Sequence, residues 1–239
     1  MNEYGQLVGF AVPGWRPPAH PGRPTLDGRW CRLVPLDPER HAAALFRAYA
    51  LDADARGWTY LPYGPFADQA AYEQWMRATC TGDDPLFFAV LDAGESAVGV
   101  ASYLRIDRPV GSIEVGHLRF SSLLQRTPAA TEAMYLMMRH AFALGYRRYE
   151  WKCDALNAPS RAAAARLGLS FEGVFRQAVV YKGRNRDTAW FAATDRDWPA
   201  LAAVFERWLD PANFDVEGRQ RFRLSDLTPP LRARPAAAE

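Results

Sequence analysis

Cysteine is scarce in this chain of 239 residues: Cys31, Cys80 and Cys153 are the three, far apart and without a CxxC pair. That excludes a disulfide framework or a thiolate zinc cluster as the organising feature, and no metal site is expected. A reducing compartment is the simpler reading. Long apolar runs are missing too, since no stretch approaches the roughly 18 residues of a membrane helix. The opening MNEYGQLVGFAVPGW has neither a basic n-region nor an apolar h-region, so it does not read as a signal peptide. The expectation is a cytoplasmic protein with no membrane partner. Charge of one sign is also lacking, with a net charge of only +2 and no long basic run. Nucleic acid is therefore not an expected partner. No internal repeat is visible.

What is present is a globular composition, 49% hydrophobic and 23% charged, able to bury a sizeable core. Residues 1–27 form an arm whose later part, GFAVPGWRPPAHPGRPTLDG, is too rich in proline and glycine for a helix or a central strand. Phe10 and Trp15 are the side chains able to dock it. RWCRLVPL alternates as a strand over Arg29–Leu36. Asp37-Pro38 then has the form of a helix cap followed by proline at the first helical position. Asp68 caps a second helix, QAAYEQWMRATC, with Tyr72, Trp75 and Met76 at helical spacing.

LFFAVLD reads as a buried strand. AVGVASYLRI and SIEVGHLRFS read as a hairpin around Arg108–Gly111. A helix ends at Gly145, RRYEWKCDA is a strand, and NAPSRAAAARLG is a helix ended by Gly168. Two more strands turn at Lys182–Asn185, and Trp198–Leu209 is a last helix. The chain beyond, 210–239, is a polar extension ending in an Ala/Pro tail. The main domain is expected over 28–209. Its fold class is α/β in the broad α+β sense, a mixed and mostly antiparallel sheet of about six or seven strands flanked by helices.

Glycine is absent where it would be most expected. Leu124–Met138, LQRTPAATEAMYLMM, runs from a loop into a helix, the arrangement that holds phosphates. The first amides of a helix lack intrahelical partners, and the helix dipole puts partial positive charge there. Thr127 is a good cap, Pro128 suits the first helical position, and Ala129 and Ala130 are small enough for close approach. Arg126 adds a cation. Negative φ, which proline enforces, would make the missing glycine tolerable. Physics permits a pyrophosphate here but does not demand one, and an ordinary helix cap is the plainer reading of these residues alone.

Three motifs in order change that balance. They are Gln125–Ala130 followed by Thr131-Glu132-Ala133, Glu114-Val115-Gly116 in the strand before it, and NAPS…LGLSFEG, with Asn157, Ser160, Leu167, Gly168, Phe171, Glu172 and Gly173. Together they resemble the GNAT superfamily of acyl-coenzyme A N-acyltransferases, and within it the branch of ribosomal-protein N-acetyltransferases, over about residues 28–198. The chain departs from that pattern at Pro128, in place of a central glycine. It departs again at Ala164, where many members carry a tyrosine that serves as general acid.

The resemblance implies acetyl transfer from acetyl-CoA, the acyl-donor cofactor, to an amine on a small molecule or a protein N-terminus. It implies direct attack through a tetrahedral intermediate. Cofactor contacts would come from Gln125, Arg126, Thr127, Ala129, Ala130 and Thr131, and from Asn157. The backbone of Leu118 to Phe120 would add to them, on a strand that bulges and splays from its neighbour. Glu114, mid-strand among apolar residues, is the candidate base, directly or through water. Its rival His117 points to the opposite face of an alternating strand. Ser160 is the candidate acid, with Tyr149, Tyr181 or no acid as alternatives; Asn157 and Ser160 also fit plain helix capping. Cys153 reads as core.

The aromatic segment WTYLPYGPF, Trp58–Phe66, is either an acceptor wall or a packed loop. The arm and the extension either cover a sheet edge or mediate a homodimer. An inactive acyl-CoA-binding or partner-binding module of the same fold is the alternative reading.

Overall fold

The computed structural model describes residues 1–228; the Ala/Pro tail lies outside the described residues. The strands are β1 (Leu26–Asp27), β2 (Arg32–Pro35), β3 (Leu86–Leu91), β4 (Ala97–Asp107), β5 (Ser112–Phe120), β6 (Arg148–Asp154), β7 (Ser170–Tyr181) and β8 (Arg184–Thr194). They form one sheet in the order β1-β2-β3-β4-β5-β6-β8-β7, antiparallel throughout except for β5 and β6. The eighth strand, beyond the seven legible in the sequence, is the two-residue β1 in the arm.

The six helices are α1 (Pro38–Ala50), α2 (Gln69–Thr79), α3 (Pro128–Ala143), α4 (Ala158–Arg166), α5 (Trp198–Leu209) and α6 (Leu224–Leu227). Their ends follow the capping chemistry of the sequence. The Asp37, Asp68, Thr127 and Asn157 side chains each accept from a first-turn amide. The chain leaves α3 and α4 through left-handed Gly145 (φ 93°) and Gly168 (φ 87°).

The sheet is covered on both faces, so β3 reads as an uninterrupted apolar run. Leu86, Phe88 and Val90 enter a core with α3 and α5, while Phe87, Ala89 and Leu91 enter a second core with α1 and α2. β2 begins three residues later than its sequence suggests. The amides of Arg29, Trp30 and Cys31 all turn onto the buried Glu132 carboxylate, at 2.8, 2.6 and 2.9 Å. Glu132 thus ties the turn between β1 and β2 to α3, a structural use of a residue within the third-helix motif.

The arm docks through Trp15, whose indole N–H donates to the Pro109 carbonyl at 3.3 Å. Phe10 lies under the Arg196 guanidinium. The segment after α5 is no plain polar tail. Leu224 is fully buried, and Phe214 packs edge-on against Trp30 and Trp208.

Candidate active site

Two irregularities in β5 make the site. The first is a bulge. Ser102 of β4 pairs with Gly116 and Val100 with Arg119, so one residue of β4, Ala101, faces two of β5, His117 and Leu118. His117 absorbs the extra residue in the left-handed conformation, φ 51°. This overturns the alternation drawn from sequence, because His117 faces the same side as Glu114. Its ring lies 5.0 Å from Phe87 and 5.6 Å from Tyr63, and its Nδ1 is 3.2 Å from the Tyr63 hydroxyl.

The second irregularity is a splay. β5 and β6 pair from Ser112↔Arg148 to Val115↔Trp151 and then part. A cavity of about 690 Å³ occupies the gap. Gly116, His117 and Leu118 form one wall, and Trp151, Lys152, Cys153 and Asp154 the other. Asn157 and Ser160 of the α4 start and Gln125 of the α3 loop also line it.

Glu114 lies at the cavity wall, 3% exposed and held by two cations. Arg105 Nη1 is 2.8 Å from both carboxylate oxygens, and Lys152 Nζ is 2.9 Å from Oε2. These belong to a chain of alternating charge across the sheet: Arg105, Glu114, Lys152, Glu150, Arg148, Glu172. Lys152 Nζ also sits 3.8 Å from the Trp190 ring centre. Burial pushes the Glu114 carboxyl above its ordinary range, outweighing the pull of Lys152 and Arg105. Burial pushes Glu150 up as well, but Arg148 and Lys152 hold it below the usual range.

The sequence carries one sign of this chain, in that Arg148, Glu150 and Lys152 alternate along one strand and so share a face. Arg105 left no such sign, since a second bulge aims it.

Ser160 has a fixed role in hydrogen bonding. The Trp151 indole N–H donates to Ser160 Oγ at 2.9 Å, leaving the hydroxyl proton free to be donated elsewhere. Asn157 spends its Oδ1 on the Ser160 amide. Of the other acid candidates, Tyr149 is removed from the cavity: it is in the main core with its hydroxyl buried and unpartnered. Tyr181 donates to Asp154 at 2.9 Å, and burial, reinforced by that bond, pushes it up to about 12. Cys153 is buried yet lines the cavity, and burial raises its thiol.

At the start of α3, Thr127 Oγ1 accepts from the Ala130 amide at 3.2 Å. The amides of Arg126, Thr127 and Ala129 have no partner among the described residues. The left-handed residue of this loop is Arg126 (φ 62°), two positions before Pro128, so proline is not what relieves the missing glycine. Thr131 is buried and accepts from Arg166 at 3.0 Å, away from the cavity. Phe120 packs against the main core, and its carbonyl accepts from Gln125 Nε2 at 2.7 Å.

The aromatic segment is split between packing and the cavity. Trp58, Tyr63 and Phe66 pack with Tyr72 and Trp75, whereas Tyr60 lines the cavity and donates to the Leu156 carbonyl at 3.2 Å. Lys182 fastens the same segment by donating to the Trp58 carbonyl at 2.8 Å.

A family profile described as an acetyltransferase (GNAT) domain matches residues 31–170, more than half of the chain. The chain belongs to the GNAT acetyltransferase family. A GCN5-related N-acetyltransferase from Brucella melitensis is 45% identical, with a TM-score of 0.89 over 91% of this chain and 99% of that one. A probable GNAT-family acetyltransferase from Chromobacterium violaceum is 43% identical, with a TM-score of 0.76 over 82% and 98%. The ribosomal-protein acetyltransferase RimL, at 18% identity and a TM-score of 0.61 over 72% of this chain and 94% of that one, shares the fold alone. No curated protein matches. Among the described residues of this GNAT domain no helix is long and apolar enough to cross a membrane, and no His/Cys/Asp/Glu group is arranged to hold a metal.

The bulge of this GNAT domain has a thermodynamic signature. Burial, with Arg105 nearby, lowers the His117 imidazole from 6.5 to about 4. Between those values the unfolded chain binds a proton that the folded chain refuses. The stabilising effect is therefore complete above the unfolded value and is lost as pH falls toward the folded one. Replacing His117 with glutamine removes roughly 2–3 kcal/mol of that acid sensitivity. Urea unfolding of both proteins at neutral pH and near pH 4 measures it, with His41 common to both. An equal loss in the two proteins would refute the assignment.

Proposed function

We infer that this chain transfers an acetyl group from acetyl-CoA to a primary amine by direct attack. The observation that carries the reading is the splay of β5 from β6 beyond Val115 and Trp151, which leaves a strand edge facing a cavity with Glu114 on its wall. An extended donor arm can pair with such an edge, and main-chain amides there can polarise a thioester carbonyl. The unpartnered amides of Arg126, Thr127 and Ala129, with Arg126 itself, suit a pyrophosphate at the α3 start. Ala129 and Ala130 leave room for it, and Gln125 and Asn157 flank the path. Leu118 and Phe120 bracket the splayed backbone.

In this reading the amine nitrogen attacks the thioester carbonyl carbon, the carbon–sulfur bond breaks, and CoA leaves as a thiolate. Glu114 takes the amine proton through a water; burial has raised its pKa toward that task. Ser160, its oxygen occupied by Trp151, donates its hydroxyl proton to the departing sulfur and recovers a proton from solvent water. The buried thiol of Cys153 stays protonated, which favours direct transfer over an acyl-cysteine route.

The test is a thermal-shift titration with acetyl-CoA, with ATP as control, followed by CoA release with an amine panel. Saturation near a hundredfold over Kd stabilises the native state by about 2.7 kcal/mol. Replacing Ala130 with glutamate sets bulk and negative charge at the helix start, and the acetyl-CoA response is expected to vanish. An unchanged response in that variant would place the phosphates elsewhere. A response to acetyl-CoA without turnover of any amine would instead favour a binding module.

A further inference from the structure

Arg105 is placed with unusual effort for a residue that is 59% exposed. It sits in the left-handed conformation, φ 47°, at a second bulge where Leu104 pairs with Glu114 and Asp107 with Ser112. Asp84 splints that bulge, one oxygen accepting from the Arg105 amide at 2.9 Å and the other from the Ile106 amide at 3.0 Å. A side chain in this conformation costs about 1–2 kcal/mol, and the result is to aim the guanidinium into the cavity and onto Glu114. Only Nη1 is used there; Nε and Nη2 have no partner among the described residues.

The cavity is otherwise short of free anions. Glu114 is held by Arg105 and Lys152, and Asp154 accepts from the Leu156 amide and the Tyr181 hydroxyl. Free donors are present, since Arg186 also lines the cavity and spends only Nε, on Thr188.

We propose that the acceptor is an α-amino acid or a close analogue, with its amine at Glu114 and its carboxylate on Arg105, Arg186 adding positive charge. This rests on the acetyl-transfer reading. The Glu114–Arg105 pair presents a negative and a positive group side by side at 2.8 Å. An amine and a carboxylate two bonds apart present the complementary pair in reverse order, so each charge meets its opposite. A polyamine would set its second ammonium against Arg105 and Arg186. A peptide N-terminus would offer a neutral carbonyl where the guanidinium has free donors.

The experiment follows CoA release with α-amino acids of varied side chain, each supplied as the free acid, the carboxamide and the decarboxylated amine. The free acids are expected to exceed their carboxamides in kcat/KM by roughly 10- to 100-fold. In Arg105→Met that acid-to-amide ratio collapses toward one, and in Arg105→Lys part of it remains. The ratio isolates recognition, because disturbing Glu114 lowers both members alike. Wild-type protein that turns over carboxamides or plain amines as well as free acids overturns this proposal and leaves acetyl transfer standing. An acetyl-CoA thermal response with no release from any amine overturns both.

Discussion

Replacing Glu114 with glutamine lowers kcat by about 100- to 10,000-fold, the range over which a positioned general base contributes. Glutamine keeps the volume and one acceptor oxygen but cannot take the proton. The fold should survive, because Lys152 keeps Glu150 at 2.7 Å and Arg105 is largely exposed. A retained thermal response to acetyl-CoA separates lost chemistry from lost structure. The pH profile gives a second readout. Glu114 works as the anion, so kcat/KM falls as pH drops through its folded pKa. Burial places that limb above the ordinary carboxylate value of about 4.3. The limb disappears in the variant. A kcat within tenfold of wild type, with the limb intact, would assign the base elsewhere, and His117 on the same wall is then the next group to replace.

Replacing Arg119 with methionine destabilises the fold by about 3–5 kcal/mol, the cost of leaving one member of a buried ion pair alone. Arg119 is 4% exposed and pairs with Asp52, its guanidinium lying 4.5 Å from the Tyr49 ring centre and 4.7 Å from that of Trp58. It also donates to the Phe120 carbonyl at 3.0 Å, while the Tyr49 hydroxyl donates to the Arg119 carbonyl at 2.9 Å. These contacts fasten the splayed end of β5 to α1 and to the segment roofing the cavity. The melting midpoint should fall by roughly 10 °C, and the KM for acetyl-CoA should rise because the strand edge is no longer held. The double variant Asp52→Leu, Arg119→Met leaves no unpaired charge and is expected to recover part of the loss. A single variant within 1 kcal/mol of wild type would mean that the pair only packs.

The sequence by itself determined the elements and their order. Capping at Asp37, Asp68, Thr127 and Asn157, the stops at Gly145 and Gly168, and the apolar run of β3 are local signals, and each is written in a few neighbouring residues. The motif order also placed Glu114, Gln125, Asn157 and Ser160, and all four come together at one cavity.

Tertiary structure alone decided which way the side chains point. Two bulges turned His117 and Arg105 into the site, and a bulge depends on pairing with another strand, which single-strand periodicity cannot report. The partners of Glu114 come from β4 and β6, about 9 residues before and 38 after it, so no spacing rule links them. Glu132 and Thr131 show the converse. They sit within a cofactor-like motif, yet their side chains are taken by the turn before β2 and by Arg166, because burial leaves a polar group no choice but its nearest partner.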